Sequence, residues 1–247
     1  MLAEERFSKI LSIIEEAGSV TVQDLMEELG ASESTIRRDL NTMDANGLLV
    51  KVFGGAVAKN TNIRTQDENV DNRKLQNIEE KVAIAKYAAS LIQSGDFVYI
   101  DAGTSTELVI DYIKAANVTF VTNSLTHAKK LSDKGYTVYI LGGEFKSTTE
   151  AIVGEEAVET LDKYNFTKGF WGTNGVNITK GFTTPEVKEA MVKKKSMENC
   201  KERYVLADSS KFSQISSVKF SEFENATIIT TELRNVSYKK YKNIKEV

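Results

Sequence analysis

The chain has 247 residues, a formal net charge of −3 and 41% hydrophobic residues, enough apolar content to bury a core in one domain or two. No apolar run approaches the ~20 residues that a membrane span needs, and MLAEERFSKI is acidic where a secretion signal is basic and then apolar, so a soluble, cytoplasmic protein with no membrane partner is expected. A lone cysteine, Cys200, excludes an internal disulfide, and a lone histidine, His127, argues against a zinc site; no cofactor is expected.

In chain order, Phe7, Ile10, Leu11 and Ile14 follow i, i+3, i+4, i+7 spacing, the apolar stripe of an amphipathic helix, with Gly18 as its stop. TVQDLMEELG predicts a second helix, capped by Thr21 with Asp24, facing inward through Leu25, Met26 and Leu29 and ended by Gly30. After Gly30-Ala31-Ser32, a third helix buries Ile36, Leu40 and Met43. Two helices joined by a short Gly-containing turn make a helix-turn-helix, whose second helix can enter a DNA major groove.

With Ser32 as N-cap, the first turns of that helix carry Glu33, Ser34, Thr35, Arg37 and Arg38. Arginine can donate two hydrogen bonds to guanine, and hydroxyls and helix-terminal amides can hold phosphates. The same residues also suit a solvated face in which Arg37 or Arg38 merely pairs with Glu33 or Asp39. Net charge offers no guide, since residues 1–59 hold six Lys or Arg against ten Asp or Glu; a nucleic-acid site must be a local patch.

GLLVKVFGGAV alternates apolar and polar residues up to Gly54-Gly55, which predicts a short hairpin wing that presents Lys51, with Lys59 as a second candidate, to a DNA backbone; a plain turn into a linker is the compatible alternative. Residues 60–77 are polar and lack an apolar period, as expected of a connecting segment. The resulting division is 1–58 for the helical and winged unit, 59–77 for the linker and 78–247 for the rest.

Beyond the linker, the helix EEKVAIAKYAASLIQSG precedes the strand-like runs DFVYI, VTFVT, TVYIL, KGFWG, RYVLA and ATIIT, several of them separated by helical patterns. That order predicts an α/β domain with a largely parallel sheet. In such sheets ligands gather at the carboxyl ends of strands. The first strand runs into DAGTST, where Asp101, Gly103, Thr104, Ser105 and Thr106 offer a close-approach glycine, hydroxyls and amides at a helix start, suited to an anion or simply to capping. The next strand ends bring Thr122, Asn123 and Ser124, then Gly143 and Lys146, then Gly175. Amides and hydroxyls there suit sugar oxygens, and Lys146 or Lys211 suits phosphate. Glu189 and Lys193 lie one helical turn apart, the spacing of an ordinary ion pair.

Taken together, the stretches ERFSKILSIIEEAGSVTVQDLMEELGASESTIRRDL, GLLVKVFGGAV, DAGTST, VTNS, LGGEFKSTTEAIVG and LADSSKF resemble the DeoR family of bacterial transcription regulators. Through ASESTIRRDL, FVYIDAGTST, AIVGEEAV and GFTTPEVKEA the chain is most similar to the fructose-operon repressors of Gram-positive bacteria. The resemblance implies an α/β protein overall, with a winged helix-turn-helix followed by a sugar-phosphate sensor domain related to ribose-5-phosphate isomerases and glucosamine-6-phosphate deaminases. It implies no enzyme activity. It also implies a homo-oligomer that binds operator double-stranded DNA and responds to a phosphorylated sugar, fructose 1-phosphate for this subgroup.

Carried over by position, the helix-turn-helix spans about Val20 to Asp39, with DNA contacts expected from Thr21, the Ser32–Arg38 face, Lys51 and Gly54-Gly55. The phosphate loop is Asp101 to Thr106, with Thr122 to Ser124, Lys146, Glu189, Lys193, Asp208 and Lys211 at other matching positions. Two residues depart from the family pattern: Phe53 stands where His often precedes the wing glycines, and Ser105 replaces a threonine. The rival reading is a sugar-phosphate isomerase or deaminase with an accessory helical domain.

Overall fold

The computed structural model describes every residue except 1, 18, 59–62, 64, 234–237 and 239; the stop expected at Gly18 and the backbone contact expected of Lys59 lie outside the described residues. The chain divides into two compact units, residues 1–62 with 233–242, and residues 63–232 with 243–247. Among the described residues, no helix is long and apolar enough to cross a membrane.

In the first unit, helix α1 spans Ala3–Ala17 and strand β1 Ser19–Thr21. Helix α2 (Val22–Leu29) starts at Thr21, whose hydroxyl accepts from the Asp24 N–H while the Asp24 carboxylate accepts from Thr21 N–H, and it ends at Gly30 in the left-handed region (φ 58°). Helix α3 (Glu33–Ala45) is capped by Ser32, and β2 (Leu49–Val52) with β3 (Gly55–Ala58) forms an antiparallel hairpin. Among the described residues these strands make one sheet of order β1-β3-β2. The hairpin turns at Phe53-Gly54, where Gly54 has φ 83°.

The core of this unit is Ile10, Ile14, Val22, Leu25, Leu29, Ile36, Leu40 and Met43, joined by Val20, Leu49 and Ala56 from the sheet. The stripe residues Phe7 and Leu11 pack at its margin, as does Met26, whose inward place falls to Val22 because the helix starts there. Asp39, on the helix expected to read DNA, is buried and accepts from Arg6 Nε at 2.7 Å and Arg6 Nη2 at 3.2 Å. That pair locks α3 to α1.

The second unit opens with α4 (Val70–Leu75), inside the stretch whose polar composition suggested a connector. Asn69 caps it, and Val70 is buried with its N–H on the Thr148 carbonyl at 3.2 Å. Then follow α5 (Ile78–Ser90), β4 (Phe97–Ile100), α6 (Thr104–Tyr112), β5 (Thr119–Thr122), α7 (Leu125–Asp133) and β6 (Thr137–Ile140). A small hairpin, β7 (Glu144–Lys146) with β8 (Ala151–Val153), leads to α8 (Glu155–Leu161) and β9 (Phe166–Gly172). Next come β10 (Gly175–Asn177), β11 (Gly181–Thr184), α9 (Val187–Glu198), β12 (Cys200–Leu206), β13 (Val218–Ser221), β14 (Thr227–Thr230) and β15 (Ile244–Glu246).

Among the described residues, seven strands form one sheet of order β15-β14-β12-β9-β4-β5-β6, and every recorded pair in it is parallel. Central strands of such a sheet are buried on both faces and read as continuous apolar runs. Val98 and Ile100 of β4 thus join Ile84, Ala85, Val109, Ile110 and Leu131 on the face of α5, α6 and α7. On β4 and β9, Tyr99 stacks on Trp171 at 5.7 Å, and the Trp171 indole N–H donates to Ser196 of α9 at 2.9 Å. A second, antiparallel sheet of order β10-β11-β13 stands beyond the end of β9.

The wing depends on a close backbone approach. A Cβ at Gly55 would lie 2.1 Å from the Val20 carbonyl oxygen, so Gly55→Ala should open the β1–β3 pairing and cost about 1–3 kcal/mol. Hydrogen exchange at residues 19–21 and 55–57 checks this: faster exchange in the variant is expected, and unchanged protection would contradict the packing argument.

Candidate functional sites: a helix-turn-helix face and an anion cleft

On α3 the candidate DNA residues separate into capping groups and outward groups. The Ser32 hydroxyl accepts from the Thr35 N–H at 3.4 Å and lies 3.1 Å from the Ser34 and 2.9 Å from the Thr35 hydroxyls. Arg37 pairs with Glu33 one turn back at 2.7 Å, an exposed contact worth little. The partner Asp39 offers is taken by Arg6, so Arg38 is exposed and, among the described residues, has no side-chain partner. Of the two pairings that a solvated face would have used, one exists, for Arg37.

Lys51 on the wing is exposed; its ammonium donates to Asn41 of α3 at 2.6 Å and its N–H to Asp44 at 3.1 Å, so the hairpin is tied to the same helix. The Gly54 carbonyl accepts from Val22 N–H at 2.8 Å, and Phe53 at the hairpin tip is fully exposed. Thr21 spends its hydroxyl on Asp24 at 2.7 Å. It therefore serves the helix cap, whatever else it touches.

In the second unit, the carboxyl ends of β4 and β9 frame a small polar cleft, lined by Arg73, Lys81, Gly103, Thr104, Ser105, Gly172, Thr173, Asp208 and Lys211 among others. Thr104, Ser105 and Thr106 are the first residues of α6, whose opening N–H groups have no intrahelical acceptor and favour an anion. Ser105 has no side-chain hydrogen bond among the described residues, so the departure from the family threonine leaves a hydroxyl free at the cleft wall. Thr106 is different: it is fully buried and donates to the Asp101 and Gly103 carbonyls at 2.6 and 2.9 Å, closing the loop rather than facing the cleft.

Lys81 was not singled out from the sequence. It is buried, and its ammonium donates to Thr104 Oγ1 at 3.1 Å and to the Arg73 carbonyl. Burial pushes it down to about 8, and the nearby charges of Lys211 and Arg73 add to the effect against the pull of Asp208. The available signal was positional: Lys81 stands on the stripe that continues as Ile84, Ala85 and Ala88, where a cation needs a reason. Asp208 accepts from Asn77 Nδ2 at 2.9 Å and from the Ser210 N–H at 3.1 Å.

Deeper in, Lys193 reaches the Asp101 carboxylate and the Gly172 carbonyl, the latter at 3.2 Å. Burial drives Asp101 above the usual carboxylate range although Lys193 opposes it, and its Oδ1 is buried with no hydrogen-bond partner. Glu189 does not pair directly with Lys193 one turn away. Instead it accepts from Lys146 at 3.1 Å and Thr149 at 2.6 Å; burial opposes its charge, but Lys193, Thr149 and Lys146 together hold it below its usual range.

Thr122, Asn123 and Ser124 are buried structural donors and acceptors. Thr122 accepts from Ser124 N–H at 3.1 Å, Asn123 ties Ala102 N–H at 2.8 Å to the Ile152 carbonyl at 3.3 Å, and Ser124 caps α7. Gly143 and Gly175 are close-approach positions, where a Cβ would meet the Val153 carbonyl oxygen at 2.7 Å and the Gln214 carbonyl oxygen at 2.4 Å.

One unit thus presents a winged helix-turn-helix, and the other a pocket at the strand ends of a parallel sheet, lined by cations and hydroxyls: a DNA-binding regulator with a ligand sensor. Residues 6–62 match the DeoR-like helix-turn-helix domain and residues 76–232 the DeoR C terminal sensor domain, so the chain belongs to the DeoR family of transcription regulators. It is 43% identical over 242 residues to "Uncharacterized HTH-type transcriptional regulator FruR" of Bacillus subtilis (strain 168), covering 98% of this chain and 96% of that one. It is 32% identical over 238 residues to the "Lactose phosphotransferase system repressor" of Streptococcus mutans, covering 95% and 94%. Among solved structures, the full-length sorbitol operon regulator SorC of Klebsiella pneumoniae aligns with a TM-score of 0.40 at 11% identity, over 98% of this chain and 95% of that one. With regulator domains along both units and relatives that are transcriptional regulators, the chain is not a sugar-phosphate isomerase or deaminase.

An anion held beside Lys81 would bind with a signed pH dependence. Its pKa is lowered to about 8 by burial and would rise beside a bound anion, so the affinity for an anion of fixed charge would fall as pH rises through about 8, by up to about tenfold per pH unit. Calorimetry with inorganic sulfate, whose charge is constant between pH 7 and 10, should show this decline, flattened by Lys81→Met. A flat profile in the unsubstituted protein would contradict the placement of the anion.

Proposed function

We propose that the protein is a cytoplasmic repressor of a sugar-utilisation operon, released from its operator by a phosphorylated sugar, with fructose 1-phosphate as the effector. The observation that carries the DNA half is Arg38, an exposed guanidinium with no side-chain partner among the described residues, on the second helix of the helix-turn-helix. A guanidinium held this way can offer its full fork to a guanine edge. Lys51, tethered to the same helix through Asn41, supplies a backbone contact beside it. The acidic balance of the first unit is no obstacle, because Asp39 is turned inward onto Arg6 and Glu33 is neutralised by Arg37.

The effector half rests on the cleft. The phosphate sits at the start of α6 against Thr104, Ser105, Lys81 and Lys211, and the sugar hydroxyls extend towards Asp101, Lys193, Glu189 and Lys146. Fructose as the sugar is supported by the likeness to the regulator FruR of Bacillus subtilis. A homo-oligomer supplies paired recognition helices for two operator half-sites. Effector binding that favours a different arrangement of the units weakens operator binding by linkage, about 5- to 150-fold for a coupling of roughly 1–3 kcal/mol.

Two variants separate the halves in one binding assay on operator DNA at fixed salt. Arg38→Ala should weaken specific binding by about 1–3 kcal/mol and relax the preference at one base pair, while release by sugar phosphate persists. Thr104→Val should bind operator normally and lose release. Unchanged affinity and base preference in Arg38→Ala would sink the recognition assignment, and normal release in Thr104→Val would sink the phosphate site.

A further inference from the structure

A carboxylate from the polar segment that follows the DNA-binding unit is seated among the effector-site residues. Asp67 lies in a stretch without regular structure, yet its side chain is only 3% exposed. One oxygen accepts from Lys146 Nζ at 2.9 Å and the other from Asn174 Nδ2 at 3.1 Å. Both donors come from strand ends: Lys146 from the close of β7 and Asn174 from the loop after β9. The Asn174 carbonyl oxygen in turn accepts from Thr184 at 3.3 Å, and Lys146 also donates to Glu189 at 3.1 Å.

An ammonium, a carboxamide and neighbouring hydroxyls are the donor set that a polyhydroxylated anion needs. In this structure that set is filled by the chain itself. The charge count points the same way. With Asp67 seated, the carboxylates of Asp67, Glu189 and Asp101 face the ammonium groups of Lys146 and Lys193; with Asp67 withdrawn, two carboxylates face two ammonium groups.

We infer that Asp67 is an internal competitor of the effector: its carboxylate occupies Lys146 and Asn174, and the sugar end of the ligand displaces it. This deepens the effector-site reading above and rests on it. The consequence reaches along the chain, because the segment holding Asp67 continues into α4, whose first N–H is bonded to the Thr148 carbonyl and whose Arg73 carbonyl accepts from Lys81 in the phosphate cleft. The connector is therefore fastened at both ends of the ligand site. Displacing Asp67 loosens the piece of chain that leads, in sequence, from the DNA-binding unit to the sensor. Asp67 then sets the effector concentration at which the regulator responds.

The test is calorimetry of the full chain with fructose 1-phosphate, comparing the unsubstituted protein with Asp67→Asn, Lys146→Met and the double variant. Asp67→Asn keeps the size and an acceptor oxygen but gives up the charge that holds Lys146. It should bind the sugar phosphate at least about fivefold more tightly, since the competing ion pair is lost, whereas a merely structural Asp67 would give weaker or unchanged binding. In the Lys146→Met background the same substitution should give no gain. Hydrogen exchange over residues 65–75 should rise when the ligand is added to the unsubstituted protein. Equal or weaker binding by Asp67→Asn, a gain that survives Lys146→Met, or slower exchange on ligand addition would each overturn the competitor role. If the unsubstituted protein binds no sugar phosphate at all, the effector-site reading fails first and takes this inference with it.

Discussion

The sensor is organised around one buried ion pair, between Lys193 on α9 and Asp101 at the end of β4. Lys193 also donates to the Gly172 carbonyl and Asp101 accepts from the Gly172 N–H, so three elements, β4, β9 and α9, meet at a single charged point. A buried pair is not itself a large source of stability, because both charges lose water, but removing one partner typically costs about 3–5 kcal/mol. The pair therefore acts as a constraint: it fixes the loop that opens α6, and with it the hydroxyls and amides that line the cleft. Asp101 sits above its usual range because burial disfavours its charge, and its Oδ1 is buried with no hydrogen-bond partner among the described residues.

The DNA-binding unit uses the same device at smaller scale. Arg6 on α1 takes both oxygens of Asp39, which turns the acidic residue next to Arg38 in sequence into the core. The outward face then carries Arg38, without a side-chain partner among the described residues, and Lys51 is tethered to the same helix through Asn41. A protein with net negative charge can in this way present a cationic edge, because what a phosphate backbone meets is the local arrangement.

Much of this was legible in the sequence where one physical signal dominates. The apolar stripe of α1, the Thr21–Asp24 cap, the αL glycine at Gly30 and the Ser32 cap are local features, and local chemistry decided them. Six strands of the parallel sheet, β4, β5, β6, β9, β12 and β14, were legible as short apolar runs, the inner ones because both of their faces are covered, whereas the edge strand β15, a short and partly polar IKE, was not. The small sheet of β10, β11 and β13 was not, since GVN, GFTT and VKFS are short and partly polar and are defined by distant pairing, such as Thr183 with Lys219. The site shows the same divide. The hydroxyl loop after β4 stood out as a strand-end motif, but the partners of Glu189 and Lys193 are tertiary, and the i,i+4 spacing pointed to a direct pair that does not form. Asp67 carried no sequence signal at all, because a carboxylate in a polar stretch looks solvated until its donors arrive from β7 and the loop after β9.

The central claim is that one ligand site in the sensor controls one recognition face in the helical unit. Its most direct test is fluorescence anisotropy of the full chain on DNA from its own promoter region, titrated at fixed salt with fructose 1-phosphate and, in parallel, with inorganic phosphate. The account predicts tight, sequence-selective binding that the sugar phosphate releases and inorganic phosphate releases poorly. Tight binding indifferent to every sugar phosphate tried, or no selective binding, would contradict it.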